Sequence, residues 1–254
     1  MNSEQLIEKI IQKKEFSQIP KNDVELVFEK FNKKEYLDEE KIKLSRDLLR
    51  KMYTAFVSPK LLNIKDKDYE WFLKKHLSTK ERFDSYQELY KKLLKDFKEE
   101  TNVFDLGAGI NGFSYNYFKK NVKYFGIEAV GQLVDLMNSY FEKNNFNAKA
   151  IHESLFDLEK IEKIIKNEKG KKIIFLFKTL DSLEMLKKDY SKKLLLEITP
   201  LVDLVVISFA TRSLISKKRF NVRRNWIFDF IKKDFKILED FELGGERYIS
   251  FRKN

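Results

Sequence analysis

The sequence predicts an α/β chain: an all-helical region leading into a mostly parallel sheet with helices on both faces, closed by an antiparallel hairpin. Three observations predict it. Residues 1–98 contain no glycine and only Pro20 and Pro59 as breakers, while their apolar residues recur at spacings of three and four. From residue 102 onward, short apolar runs alternate with amphipathic stretches, the pattern of strand and helix in succession. Near the C-terminus, two alternating segments flank Gly244-Gly245, a dipeptide suited to a tight hairpin turn.

The elements follow in order. Leu26, Phe28 and Phe31, then Leu44, Leu48, Leu49 and Met52, mark apolar helix faces, and helices are predicted over 3–14, 22–33, 38–56, 66–77 and 80–98. Ser78 with Glu81 three residues on reads as a capping box ahead of the last of these. Strands are predicted at Val103–Leu106, Tyr124–Ile127, Ala148–Ile151, Ile173–Phe177 and Leu204–Ser208. A helix over 224–233 precedes the hairpin of Phe235–Phe241 and Arg247–Arg252. The expected division is a helical RNA-binding domain over 1–98 and a ligand-binding α/β domain over 99–254.

Composition narrows the function classes. Lys and Arg outnumber Asp and Glu by 51 to 40, a net charge of +11, which favours a polyanionic partner such as nucleic acid. The absence of Cys removes disulfides, thiolate metal sites and cysteine nucleophiles together. Neither the charge-alternating N-terminus nor any apolar run resembles a signal peptide or a membrane span, so a cytoplasmic protein without membrane association is expected. His76 and His152 have no metal-ligand spacing, and no metal is expected.

Glycine is scarce, yet five of the eight (Gly107, Gly109, Gly112, Gly126 and Gly131) fall around the first two strands. Asp105-Leu106-Gly107-Ala108-Gly109-Ile110-Asn111-Gly112 sets a glycine turn after a strand and before a predicted helix, where a ligand approaches bare backbone. The spacing also fits nicotinamide and flavin sites, but Asp105 beside the turn would repel a pyrophosphate and suits a cationic ligand better. Glu128, about 20 residues on at the end of the second apolar run, is placed to accept ribose hydroxyls. After the third strand, Glu153, Ser154 and Asp157 are alternative contacts for an adenine amine.

These features resemble the class I methyltransferases, whose Rossmann-like, seven-stranded sheet carries an antiparallel last strand. More specifically, the chain resembles the aminoglycoside-resistance family of 16S rRNA guanine-N7 methyltransferases. His76 to Arg82 (HLSTKER), Asp105 to Asn111 (DLGAGIN), Phe177 to Glu184 (FKTLDSLE) and Ser208 to Leu214 (SFATRSL) carry the likeness, together with Gly245 to Ile249 (GERYI), over roughly residues 72–252. The family has Pro where Ala210 and Gly112 stand, Cys at Ala108, Lys at Arg212 and a glycine-rich turn after Leu214. These departures lie toward the target-binding edge.

The resemblance implies S-adenosyl-L-methionine as donor and 16S rRNA in the 30S subunit as substrate, with a monomer expected. It implies that Arg82 holds the methionine carboxylate, that Gly107, Ala108 and Gly109 receive the donor's backbone, and that Glu128 holds its ribose. Asp105, Ser154, Leu155, Lys178 and Thr179 complete the expected donor contacts, and Lys178, Thr179 and Arg212 are candidates near the target base. Guanine N7 carries a lone pair and no proton, so positioning suffices and no catalytic side chain is assigned. Arg212, Lys217, Lys218, Arg219, Arg223 and Arg224 form an acid-free run expected to contact phosphates. Lys33, Lys34, Lys74, Lys75, Lys91 and Lys92 spread further charge over the helical region. Phe113, Tyr115 and Trp226 are candidates for stacking on a flipped base, with core packing the more common duty of such residues. Methylation of another rRNA position, of tRNA or of a protein, and a non-catalytic ribosome-binding or assembly role, are the alternatives.

Overall fold

The computed structural model describes residues 1–54, 68–118, 121–211 and 224–254. Three helices come first: α1 (Ser3–Ile11), α2 (Lys21–Glu29) and α3 (Asp38–Leu49), the last running into a π-helical turn over Arg50–Thr54. Asn2 opens α1 in a reciprocal capping box with Gln5. Leu6, Ile7, Ile10, Phe16, Val24, Val27, Phe28 and Leu49 bury one another between these helices in a cluster that also takes in Leu186.

The remaining predicted helices behave differently. The expected helix over 80–98 is divided into α5 (Leu77–Arg82), a 3₁₀ turn at Phe83–Ser85 and α6 (Tyr86–Leu93), following α4 (Tyr69–Lys75). Ser78 is therefore inside α5 rather than at its cap; its hydroxyl accepts a hydrogen bond from the Arg82 guanidinium at 3.4 Å. The tighter turn brings the side chains of Arg82 and Tyr86 onto a common partner, Asn111. Phe72, Leu73, Tyr86, Leu89, Tyr90 and Leu93 pack against the sheet, so α4 to α6 share the sheet's core rather than that of α1 to α3.

The sheet consists of β1 (Thr101–Leu106), β2 (Val122–Glu128), β3 (Ala148–His152), β4 (Lys171–Phe177), β5 (Leu204–Ala210), β6 (Phe235–Leu243) and β7 (Glu246–Lys253). Their spatial order is β3-β2-β1-β4-β5-β7-β6, with only the β7 pairings antiparallel. Period-two alternation divides the strands between two cores. Val103, Tyr124, Phe175 and Val206 face α4 to α6 and α7 (Gly131–Lys143). Phe104, Ile127, Leu176 and Ile207 face α8 (Leu158–Asn167), α9 (Leu180–Leu186), α10 (Tyr190–Ile198) and α11 (Asn225–Asp234). Gly244 and Gly245, at φ of 59° and 80°, make the two-residue turn of the β6-β7 hairpin.

The α1 to α3 unit sits over the carboxyl edge of β2 and β3. The Gly131 amide donates to the Gln18 carbonyl at 3.2 Å, and the Gln132 side chain donates to the Lys14 carbonyl at 3.0 Å. Lys30 reaches the Met185 carbonyl at 2.7 Å. Among the described residues, no helix is long and apolar enough to cross a membrane.

Candidate donor site and its surroundings

The carboxyl ends of β1, β2, β3 and β4 open into one cavity, lined by Arg82, Asp105, Gly107, Ala108, Gly109, Glu128, Leu155, Lys178 and Thr179, with Asp23, Met52 and Tyr53 from the helical unit. Such an edge is the expected place for a ligand on a parallel sheet. Gly107 and Gly109 adopt φ of 73° and 56°, conformations that side chains rarely take. A Cβ on Gly107 would lie 2.8 Å from Thr179 Cγ2, so the loop is both turned and pressed onto β4's exit. Thr179 holds that position by donating to the Leu106 carbonyl at 3.0 Å.

The loop's amide groups point inward. Gly107 and Ala108 both donate to the Ile127 carbonyl, at 2.9 and 3.1 Å, and Gly109 donates to Glu128 Oε2 at 2.7 Å. A pyrophosphate site requires these amides to face the ligand and a helix to begin immediately behind them. Here neither condition holds, since the predicted helix after the loop is a 3₁₀ segment, Asn111–Tyr117. Beside the loop, the cavity wall carries two carboxylates, Asp105 and Glu128.

Glu128 is buried, its second oxygen accepting from the Val130 amide at 2.9 Å. Burial pushes its pKa up, against hydrogen bonds from the backbone of Val130, Gly109 and Ala129. A carboxylate has roughly four acceptor positions, so these donors leave capacity for a hydroxyl group. Asp105 is also buried and accepts from the Asn111 amide at 2.7 Å and the Tyr124 hydroxyl at 2.8 Å. Burial raises its pKa too, with these bonds opposing the shift.

Asn111, which donates to Asp105 and accepts from Arg82, joins this carboxylate to a cationic corner. Arg82, 2% exposed, donates to both oxygens of Glu246 at 3.2 and 3.3 Å. Lys178, at φ of 59°, places its ammonium 2.9 Å from Glu246 and also on Glu81. The Ser208 hydroxyl donates to Glu246 at 2.8 Å. Burial alone would raise the Glu246 pKa, but Arg82 and Lys178 hold it below the usual carboxylate range. The sequence segments at 76–82, 177–184, 208–214 and 245–249 thus meet at one carboxylate. No local sequence signal marks Glu246 as a site residue, because its pairing with Arg82 spans 164 positions.

His76 also lines the cavity, beside Gly109. Burial, then the charges of Arg82 and Lys178, lowers its pKa to about 3, so the imidazole is neutral at pH 7.

No protein-family model matches the chain. It is 25% identical over 181 residues to a 16S rRNA (guanine(1405)-N(7))-methyltransferase of Proteus mirabilis, across 68% of this chain and 61% of that protein's length. Its structure superposes over the full length of both chains on the 16S rRNA methyltransferase RmtF in complex with S-adenosyl-L-homocysteine, with a TM-score of 0.82 at 18% identity. An rRNA methylase from Escherichia coli likewise superposes over its full length, with a TM-score of 0.79 at 18% identity. The fold is that of the 16S rRNA methylases. The likeness drawn from the motifs therefore extends to the architecture of the whole chain, including its helical N-terminal region.

Within this methylase fold, the candidates after β3 separate. Glu153 pairs with Lys160, and Asp157 caps α8 by accepting from the Lys160 amide at 3.3 Å. Ser154 is buried and donates to Asp23 of α2, leaving Leu155 and Phe156 on the cavity wall. Phe113 stacks between Phe72 and Tyr140, at centroid distances of 4.4 and 4.6 Å, and Tyr115 bonds the Val122 carbonyl. Both belong to the core, and Trp226 packs against the opposite core.

Arg212, Lys217, Lys218, Arg219 and Arg223 lie outside the described residues. Arg224 is engaged: its Nε and Nη2 donate to Asp181 at 3.0 and 2.8 Å, with the guanidinium over the Phe209 ring at 4.7 Å. Thr211, at the other end of the basic run, donates through its amide and hydroxyl to the Gly245 carbonyl, each at 2.9 Å. Replacement Arg224→Ala is expected to cost about 1 kcal/mol of stability in denaturant unfolding, since the pair is partly exposed but bidentate. An unchanged midpoint would reduce this contact to a surface pairing.

Proposed function

We propose that this chain is an S-adenosylmethionine-dependent methyltransferase that modifies guanine N7 in the decoding-site helix of 16S rRNA within the small ribosomal subunit. The observation that carries the donor assignment is the inward-facing amides of the loop at Gly107 to Gly109, beside the carboxylates of Asp105 and Glu128. With Glu246 compensating Arg82 and Lys178, the cavity favours a cationic nucleoside over a dinucleotide.

The residues present fit such a donor. Glu128 would hold the ribose, and Gly107 to Gly109 would receive the chain that joins it to the amino acid. Arg82 would take the amino-acid carboxylate on its Nη2 edge, where Ser78 and Asn111 stand at the long distance of 3.4 Å. When bound, the donor supplies an already activated methyl group. The protein's task is then to fix the acceptor in line, a contribution of about 7 to 11 kcal/mol in well-oriented reactions. N7 loses no proton, so neutral His76 has none to remove, and its low pKa keeps a further positive charge away from the donor.

The substrate assignment is supported by the Proteus mirabilis relative, named for guanine N7 of 16S rRNA. The segment 212–223 is assigned to phosphate contacts. Its flanks are pinned at the carboxyl edge of β5 by Thr211 and Arg224, on the cavity side of the sheet. The helical unit is assigned to shape-based contact with folded RNA.

The test is transfer of labelled methyl groups from S-adenosylmethionine to purified 30S subunits, followed by nuclease digestion and mass spectrometry. The expected product is 7-methylguanosine at a single 16S position. Label on tRNA or protein, or no transfer by protein that binds S-adenosylhomocysteine, overturns the substrate.

A further inference from the structure

The helical unit contributes a carboxylate to the cavity. Asp23, in α2, is 1% exposed and lines the cavity together with Met52 and Tyr53. The Tyr53 hydroxyl donates to its Oδ2 at 2.7 Å, and the Ser154 hydroxyl donates to its Oδ1. Both partners are neutral, and about two acceptor positions on the carboxylate remain.

Its location identifies which part of a nucleoside it would meet. Ser154 follows β3, and the Glu153 amide donates to the Glu128 carbonyl at 3.2 Å, so Asp23 lies at the Glu128 side of the cavity. The Arg82 and Lys178 corner forms another part of the wall. Around Asp23 the wall is made of Leu155, Phe156 and Met52, apolar surfaces suited to a flat base. The acids of the neighbouring loop are directed elsewhere, Glu153 to Lys160 and Asp157 to the start of α8.

Resting on the donor-site reading above, we propose that Asp23 is a specificity-determining residue: it accepts a hydrogen bond from the exocyclic amine of adenine and rejects a purine with a keto group there. The amine is a donor and meets an acceptor, whereas a keto oxygen would turn lone pairs toward a carboxylate. The helical unit is then part of the donor site as well as of the RNA-facing surface. By linkage, donor binding stabilises its docking on the sheet.

Calorimetric titration of the full chain with S-adenosylhomocysteine and with S-inosylhomocysteine, its 6-keto counterpart, tests the assignment. The native chain is expected to prefer the adenine form by on the order of 30-fold or more. In Asp23→Asn, whose amide can donate to a keto oxygen, the preference is expected to shrink below about threefold or to reverse. Tyr53→Phe and Ser154→Ala, which retain the carboxylate, are expected to keep the preference. Native binding with equal affinity for both compounds, or an Asp23→Asn chain with undiminished preference, overturns the role of Asp23 alone. Failure of the native chain to bind S-adenosylhomocysteine overturns the donor site and this inference together.

Discussion

Replacing Gly107 by Ala is expected to weaken S-adenosylhomocysteine binding on the order of 100-fold, equivalent to about 2.7 kcal/mol, and to reduce methyl transfer in parallel. Two independent costs converge. The φ of 73° is strained for any L side chain, by about 1 to 2 kcal/mol. The added Cβ would also stand 2.8 Å from Thr179 Cγ2, and overpacking of this kind typically costs about 1 to 3 kcal/mol. Thr179 cannot retreat freely, because its hydroxyl is bonded to the Leu106 carbonyl and its methyl side faces the loop. The loop is expected to relieve the clash by giving up the turn, and with it the bare backbone and the inward amides. Calorimetry on Gly107→Ala, alongside its unfolding curve, separates a binding defect from global destabilisation. Native affinity in a folded Gly107→Ala chain would remove this loop from the donor site.

Glu246→Gln is expected to destabilise the chain by about 3 to 5 kcal/mol at pH 7, because removing one partner leaves buried charge uncompensated. Arg82 is buried on this carboxylate, and Lys178, which also pairs with Glu81, is only partly exposed. The pH dependence has a definite sign. A carboxylate whose pKa is lower when folded contributes stability above its unfolded value, near 4.5, and loses it as pH falls through the folded value. The stability difference between native and Glu246→Gln chains should therefore be full at neutral pH and shrink in acid below that range. Denaturant titrations at several pH values measure it. A difference that persists undiminished to the most acid condition would assign the effect to packing rather than charge.

The sequence by itself determined the layered architecture, because strand and helix periodicities are local properties of the chain. Val103 and Phe104 alternate between faces as their spacing requires, and Gly244-Gly245 makes the turn expected of it. It also placed the glycine turn and Glu128 at the ends of β1 and β2, since both depend on residues close to a strand end. The helix boundaries near 80 differ from the predicted ones: Ser78 and Glu81 have the spacing of a cap, but the contacts of Arg82 and Tyr86 with Asn111 override local propensity.

What only the tertiary structure decided is how charges distant in the chain are paired. Glu246 meets Arg82 across 164 positions, and Asp23 meets Ser154 across 131, contacts that no local pattern encodes. The direction of the loop amides was likewise invisible, although it distinguishes a cationic ligand from a phosphate. A glycine spacing specifies where the backbone can turn, while the hydrogen-bond partners that fix its orientation come from the adjoining strand.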